Sequence, residues 1–194
     1  MRVFSTAVFP ELPVSVVPRG AGRVFLLMTL ALSACSPALN WREVRPEGAL
    51  LQSLMPCKPE TAQRSVPLAG SQTELHLLAC EASGLQFAIA WAEVNSAAQV
   101  PQALTAWRSA SLQAIGVRSA PGDEASTAWA ASISGATRVL GVQASGQNPA
   151  GGAVQTRAVY FARGTQVFQA AVYGERLPAD VLEAFFGGLR LPAP

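Results

Sequence analysis

Residues 154–173 read VQTRAVYFARGTQVFQAAVY, and this stretch decides the fold. Two apolar runs, Val154–Ala162 and Thr165–Tyr173, flank the dipeptide Arg163-Gly164. The pattern predicts an antiparallel hairpin closed by a two-residue turn. Apolar residues occur at both odd and even positions of each run, so both faces of this hairpin should be covered by other elements.

A turn at Arg163-Gly164 fixes an expected register for the hairpin, because the two residues that flank the tip then face each other. The expected cross-strand pairs are Val159 with Phe168, Arg157 with Ala170, Tyr160 with Val167, and Thr156 with Ala171.

Helical patterns occur before and after this hairpin. Pro101 is expected to begin a helix that Gly116 ends, and Pro178 is expected to open a second helix weakened at its end by Gly187-Gly188. Their apolar stripes follow helical spacing: Leu104, Trp107, Ser111 and Ile115 in the first, and Val181, Leu182, Phe185, Phe186 and Leu189 in the second.

Short alternating segments predict further strands, with Ser145–Gly152 as a polar loop. The predicted strands are Trp41–Gly48 with its turn, Ala49–Met55, Arg64–Leu68, Thr73–Ala79, Leu85–Trp91, Trp129–Ile133 and Thr137–Ala144. Strands, a helix, strands and a helix in that order predict an α+β fold, an antiparallel sheet with helices packed on it.

The segment Met55-Pro-Cys-Lys-Pro59 after a strand, a middle helix, and a closing hairpin followed by a helix with Phe185-Phe186 resemble small PsbP-like domains. The resemblance implies an αβα sandwich that serves as an accessory or assembly module.

Composition limits the class of protein. Half of the residues are hydrophobic, but the longest apolar run, Val24–Leu32, is broken by Thr29 and is shorter than the roughly 20 residues of a membrane-spanning helix. From Cys35 onward the chain has 11 basic and 11 acidic residues, so its net charge is zero. A neutral domain offers no electrostatic reason to bind nucleic acid.

The N-terminal segment has the parts of an export signal in order. The charged stretch Arg19–Arg23 and the apolar run Val24–Leu32 precede Leu32-Ser33-Ala34-Cys35, which resembles the lipobox of bacterial lipoproteins. The resemblance implies cleavage before Cys35 and a diacylglycerol on its thiol. Ser36, in place of Asp, implies by enterobacterial sorting that the lipidated protein goes to the outer membrane.

The expected organisation is therefore a targeting segment at 1–34, a lipidated tether at 35–40 and one globular domain at 41–194. Pro10, Pro13 and Pro18 precede the natural start of the signal. Two interpretations stay open: translation begins at Val14 or Val17, or the signal has a long disordered n-region before its apolar core.

The chain has three cysteines, and the lipid would occupy Cys35. Cys57 and Cys80 then remain in an oxidising compartment, which predicts a disulfide between them. Two buried free thiols are the alternative.

No catalytic, cofactor or metal site is predicted. A triad would need His76, the chain's one histidine, beside a nucleophile and a carboxylate, and His76 lies within a predicted strand. Asp123 lies in a turn, Asp180 suits a helix N-terminus, and nothing brings Glu81 and Glu93 together. Of the four tryptophans, which could line a ligand groove, Trp91 and Trp107 better fit core positions.

Two functions are compatible with these observations. One is a non-enzymatic envelope lipoprotein, a scaffold or binding domain anchored to the membrane by its lipid, facing the periplasm and working with an envelope protein partner. The other is a periplasmic hydrolase or small-ligand-binding lipoprotein with a pocket over the sheet.

Overall fold

The computed structural model of the chain describes residues 39–117 and 128–192, so that Cys35 and Asp123 lie outside the described residues. The described part is a mixed α+β structure dominated by antiparallel sheet. In chain order its elements are β1 (Arg42–Val44), β2 (Ser53–Met55), β3 (Glu60–Leu68), β4 (Ser71–Ala82), β5 (Leu85–Glu93), α1 (Val100–Ala114), β6 (Ala128–Trp129), β7 (Arg138–Gln147), β8 (Ala153–Arg163), β9 (Gln166–Gly174) and α2 (Ala179–Gly187). Neither described helix combines the length and the apolar character needed to cross a membrane.

Seven strands form one sheet in the order β3-β4-β5-β9-β8-β7-β6, and each neighbouring pair is antiparallel. Strands β1 and β2 pair with each other in a separate small sheet. The quoted hairpin is β8-β9, and its strand β9 lies at the centre of the large sheet. The predicted class, an antiparallel sheet with two helices, is confirmed.

Each face of the sheet carries one helix. The α2 face buries Phe87 and Ile89 against Phe185 of α2, with the Phe87 and Phe185 ring centroids 5.4 Å apart. The opposite face, the α1 face, buries Tyr160 and Ala90 with Leu104 of α1. Because successive side chains of a strand point to opposite faces, the apolar residues of β8 and β9 serve both layers. The predicted two-sided cover of this hairpin is confirmed.

The predicted register of the hairpin is wrong by two residues. Arg163 faces Gln166, so the tip is Gly164-Thr165 rather than Arg163-Gly164. Gly164 has a φ of 58° at the first central position, which is where a type II′ turn requires glycine. The observed pairs are Val159 with Ala170, Arg157 with Val172, Tyr160 with Gln169, and Thr156 with Tyr173. A two-residue shift leaves every side chain on its predicted face.

Other predicted boundaries also need correction, including that of β2, which begins at Ser53 instead of Ala49. Strand β3 begins at Glu60 instead of Arg64, and β6 ends at Trp129 instead of continuing to Ile133. Strand β7 extends to Gln147, because Ser145, Gly146 and Gln147 pair with β8, which shortens the predicted loop.

Helix α1 ends as its sequence predicts. Gly116 has a φ of 73°, its N–H donates to the Gln113 carbonyl at 2.9 Å, and the Val117 N–H donates to the Leu112 carbonyl at 2.9 Å. This pair of bonds is a Schellman motif, in which a left-handed glycine closes the helix.

The disulfide between Cys57 and Cys80 is confirmed, with 6.0 Å between the two Cα atoms. It connects the segment after β2 to β4 and encloses the whole of β3.

Candidate ligand-binding site

His76 is held in a structural position on the α2 face of β4. Its ring stacks on Trp91 with centroids 5.0 Å apart, and its Nε2 lies 3.1 Å from Glu74 Oε1. Its Nδ1 lies 3.0 Å from Gln63 Nε2. Neither contact is a hydroxyl or thiol, so the described surroundings of His76 do not form a hydrolytic triad.

The structure keeps the carboxylates considered above apart. Glu81 faces Gln86 near the start of β5, whereas Glu93 ends that strand and accepts a hydrogen bond from Thr165 Oγ1 at 2.9 Å. Gln86 and Glu93 are seven residue steps apart along β5, so the two carboxylates are separated by about 24 Å along the strand direction. Paired glycosidase carboxylates lie about 5–10 Å apart. Asp180 lies in the first turn of α2, where a carboxylate complements the helix dipole. Among the described residues no cluster of His, Cys, Asp and Glu could hold a metal ion.

The feature that stands out is a cavity of about 470 Å³ on the α1 face, here called the α1 pocket. Helix α1 packs on β3, β7, β8 and β9 through contacts such as Trp107 with Tyr160, whose ring centroids are 6.4 Å apart. Its C-terminal end is fixed by the Gln147 N–H, which donates to the Ile115 carbonyl at 2.8 Å. This placement leaves open space between the helix and strands β4 and β5.

Small side chains keep this space open. The helix contributes Ala106, Ala110 and Ala114, which are four residues apart and therefore lie on one side of α1. The sheet contributes Ala90, which is 3% exposed. The larger apolar lining residues are Val66, Leu68, Leu75, Leu77, Trp107, Ile115, Pro149 and Val154. The pocket therefore has the size and apolar character typical of a small-molecule site.

A neutral hydrogen-bonding cluster flanks this apolar wall. Gln169 on β9 is 9% exposed, and its Nε2 donates to Ser111 Oγ and to the Tyr160 hydroxyl, each at 3.1 Å. Burial raises the pKa of Tyr160 and of Tyr173 above that of an exposed tyrosine, although hydrogen bonds with Ser111 and Thr156 oppose part of the effect. Both hydroxyls therefore stay protonated at neutral pH, and that of Tyr173, which lines the pocket, can orient a ligand without accepting its proton as a base.

One ionised group lines the pocket. Among the described lining residues, Arg64 of β3 is the only side chain charged at neutral pH, and no described residue forms a salt bridge with it. The lining thus supplies a cation but no carboxylate. General acid–base chemistry on a bound ligand would need a group that titrates near neutral pH, and the described lining offers none.

Two further cavities of similar size are more polar. One, of about 450 Å³, lies beside His76 and includes Glu47, Thr61 and Gln63. The other, of about 490 Å³, includes Arg157, whose guanidinium lies 4.1 Å from the centre of the Trp129 ring. Neither has the continuous apolar wall of the α1 pocket.

A pocket over the sheet is among the expectations from the sequence, but the sequence does not predict which residues line it. Trp91 is in the core as expected, 6% exposed, but Trp107 is only half-buried and lines the pocket besides packing on Tyr160. The part of the predicted loop that remains between β7 and β8 also lines the pocket, through Asn148 and Pro149. The alanines four residues apart in α1 are the only trace of the pocket in the sequence of the helix, and they are equally compatible with close packing on a strand.

Comparisons with known proteins add little. No known protein family matches the chain, and no curated protein matches it. Among solved structures, a putative uncharacterized protein from Mycobacterium smegmatis is similar over 72% of this chain and 68% of its own, with 15% sequence identity and a TM-score of 0.35. A likeness at this level carries no argument about function.

Proposed function

We propose that this chain is a lipid-anchored lipoprotein of the bacterial cell envelope whose domain binds an apolar ligand in the α1 pocket without transforming it. The anchor is supported by the ordered export signal that ends in Leu32-Ser33-Ala34-Cys35. Ser36 favours the outer membrane, with the domain facing the periplasm. The likeness of the strand, Pro-Cys-Lys-Pro and Phe-Phe layout to PsbP-like domains also fits a binding or accessory role.

The single observation that carries the binding function is the α1 pocket, about 470 Å³ in volume. The pocket is open to solvent on one side, where Ala106, Ala110 and Ala114 are exposed, so an apolar ligand bound there would remove apolar surface from water, which is favourable. The alanines of α1 that line the pocket and the neutral cluster of Gln169, Ser111 and Tyr160 suit the binding of an uncharged, apolar group. Separated carboxylates and protonated tyrosines do not supply hydrolytic chemistry.

Filling the pocket should weaken binding. Ala90→Leu adds an apolar side chain that points into the space between β5 and α1. We expect it to weaken binding of an apolar fluorescent probe such as Nile red by at least about fivefold, since overpacking of a site costs roughly 1–3 kcal/mol. Titration by fluorescence, with the full chain carrying Cys35→Ala so that no detergent is required, measures the change.

The matched control is Ala128→Leu, the same substitution at an exposed alanine on β6 at the far edge of the sheet. It should bind the probe like the parent chain. Equal probe affinity in the parent, Ala90→Leu and Ala128→Leu chains would contradict binding in the α1 pocket, provided that all three unfold at similar denaturant concentrations.

The purified chain should turn over no ester, peptide or glycoside substrate above the uncatalysed rate. The described residues hold His76 on Trp91 and keep Glu81 and Glu93 at opposite ends of β5, so no nucleophile and base are paired. Chromogenic substrates of the three classes provide the measurement. Turnover that copurifies with the protein and disappears on His76→Gln would refute this part of the proposal.

A further inference from the structure

We infer that the α1 pocket selects a single-chain amphiphile with an anionic head group, whose head pairs with Arg64 and whose apolar chain lies beneath α1. This inference rests on the proposed ligand-binding function and adds the chemical class of the ligand.

The lining residues give the pocket an elongated shape. Arg64 lies on β3, the edge strand of the sheet, and Val154 lies on β8, four strands further across. Four inter-strand steps correspond to about 19 Å across the strands, and Val154 also lies eight residues along β8 from Ala162, the position level with Arg64, which is about 26 Å. A volume of about 470 Å³ drawn out over that distance fits one extended chain better than a compact ring system or a two-chain lipid.

The path between these ends is apolar. Arg64 faces Leu75 across the β3–β4 pair, and the neighbouring level continues from Leu77 to Ala90 and then to Gln169. Beyond Gln169 the lining is again mostly apolar, with Val154, Pro149 and Ile115. Each methylene removed from water along this path contributes about 0.8 kcal/mol, so an alkyl chain can supply most of the affinity.

Gln169 does not interrupt the path with an unsatisfied donor. Its Nε2 already donates to Ser111 and Tyr160, so its amide hydrogens have protein partners before any ligand binds. An alkyl chain can therefore pass it without leaving these amide hydrogens unpaired.

The charge at the edge selects the head group. Arg64 carries a guanidinium cation, has no described salt-bridge partner and shares the pocket with no described carboxylate. A carboxylate or phosphate at the pocket edge would gain charge-assisted hydrogen bonds from the guanidinium, whereas an uncharged alcohol would not. A cationic amphiphile would be repelled. The geometry thus favours fatty acids or single-chain phosphate lipids over neutral lipids of the same length.

Binding of laurate, dodecyl phosphate and dodecanol, each below its micelle concentration, tests the inference by displacement of Nile red from the full chain carrying Cys35→Ala. At low salt at least one anion should bind about fivefold more tightly than the alcohol, as expected for one charge-assisted hydrogen bond at a partly exposed site. The anion preferred identifies the head group. Added salt should reduce the preference without affecting dodecanol.

Arg64→Gln should abolish the preference, so that both anions bind this variant about as tightly as dodecanol does. The matched control is Arg138→Gln, at an exposed arginine on β7 outside the pocket lining, which should keep the preference. If both anions and dodecanol bind the parent equally, or if Arg64→Gln retains the preference, the assignment of the head group is wrong and the apolar-ligand function survives. If neither the dye nor any of the three amphiphiles binds, the proposed function itself fails.

Discussion

Replacing Cys57 and Cys80 together by alanine is expected to lower the free energy of unfolding by about 3 kcal/mol. The bridge joins residues 23 apart in sequence, and in the chain-entropy model a closed loop of this length restricts the unfolded ensemble by that amount. A domain of this size has a total stability of about 5–15 kcal/mol, so the loss would be a large fraction of it. Urea denaturation followed by tryptophan fluorescence measures the difference.

A reductant separates the covalent bond from the packing of the sulfur atoms. Dithiothreitol should lower the stability of the parent chain close to that of the double variant and should leave the double variant unchanged. A parent chain whose denaturation midpoint does not respond to dithiothreitol, although its unfolded form is fully reduced, would contradict a stabilising bridge. The single variants Cys57→Ala and Cys80→Ala should both resemble the double variant, because either one removes the bond.

The location of the bridge explains why its loss should act on one edge of the fold. Strand β3 lies within the closed loop and pairs on one side only, with β4. Residues Glu60 to Ser65 are exposed, so this strand has little buried apolar area to hold it. After reduction, the amide hydrogens of β3 should therefore exchange faster, while those of the central strand β9 should exchange as before.

Sequence reasoning succeeded where the signal is local. Gly116 provides the left-handed residue that ends α1, and Pro178 precedes the first helical residue of α2. The disulfide was predictable from the number of cysteines and the compartment that the export signal implies, because assigning Cys35 to the lipid leaves two thiols.

The register of the hairpin could not be obtained from its strands. The hairpin Val154–Tyr173 is apolar on both faces. A shift of two residues in the pairing therefore keeps every apolar side chain on a buried face, and the sequence pattern does not distinguish the two registers. The turn alone decides, and Gly164 could serve as either central residue. Only its φ of 58°, at the first position of the turn, distinguishes the two registers.

Gly146 misled the prediction for a different reason. In a polar segment it indicates a loop, yet it lies within β7 opposite Val154. A Cβ at this position would collide with the Ile115 carbonyl oxygen at the end of α1. The glycine therefore permits close approach of a helix to a strand, a tertiary requirement that a single sequence does not express.

The α1 pocket depends on the position of the helix over the sheet. A helix face made of Ala106, Ala110 and Ala114 could equally pack tightly against a strand. An alanine such as Ala90 is common in a sheet that is covered by a helix. The packing of Trp107 on Tyr160 and the hydrogen bond from β7 to the Ile115 carbonyl set the position of α1 over the sheet, and the open space is left where α1 passes β3, β4 and β5. A pocket that exists because the side chains around it are small has no sequence motif by which it could be predicted.

The Cys35→Ala variant is expected to move from the membrane fraction to the soluble fraction. The resemblance to lipoproteins implies two acyl chains on this cysteine, and two chains anchor a protein stably where one gives only marginal binding. Four residues separate Cys35 from Asn40, whose N–H donates to the Pro56 carbonyl at 2.7 Å. The lipid would therefore hold the folded domain near the membrane, where single-chain amphiphiles are concentrated.

Labelling cells with a clickable fatty acid, followed by fractionation, measures both steps. The parent chain should be labelled and sediment with membranes, and Cys35→Ala should show neither property. Cys57→Ala is the matched control, because it removes a cysteine without touching the signal and should retain label. Ser36→Asp should keep the label but shift the protein to the inner membrane if the enterobacterial sorting rule applies. An unlabelled parent, or a Cys35→Ala variant labelled as strongly as the parent, would refute the anchor while leaving the test of the α1 pocket intact, since that test is performed on the unlipidated chain.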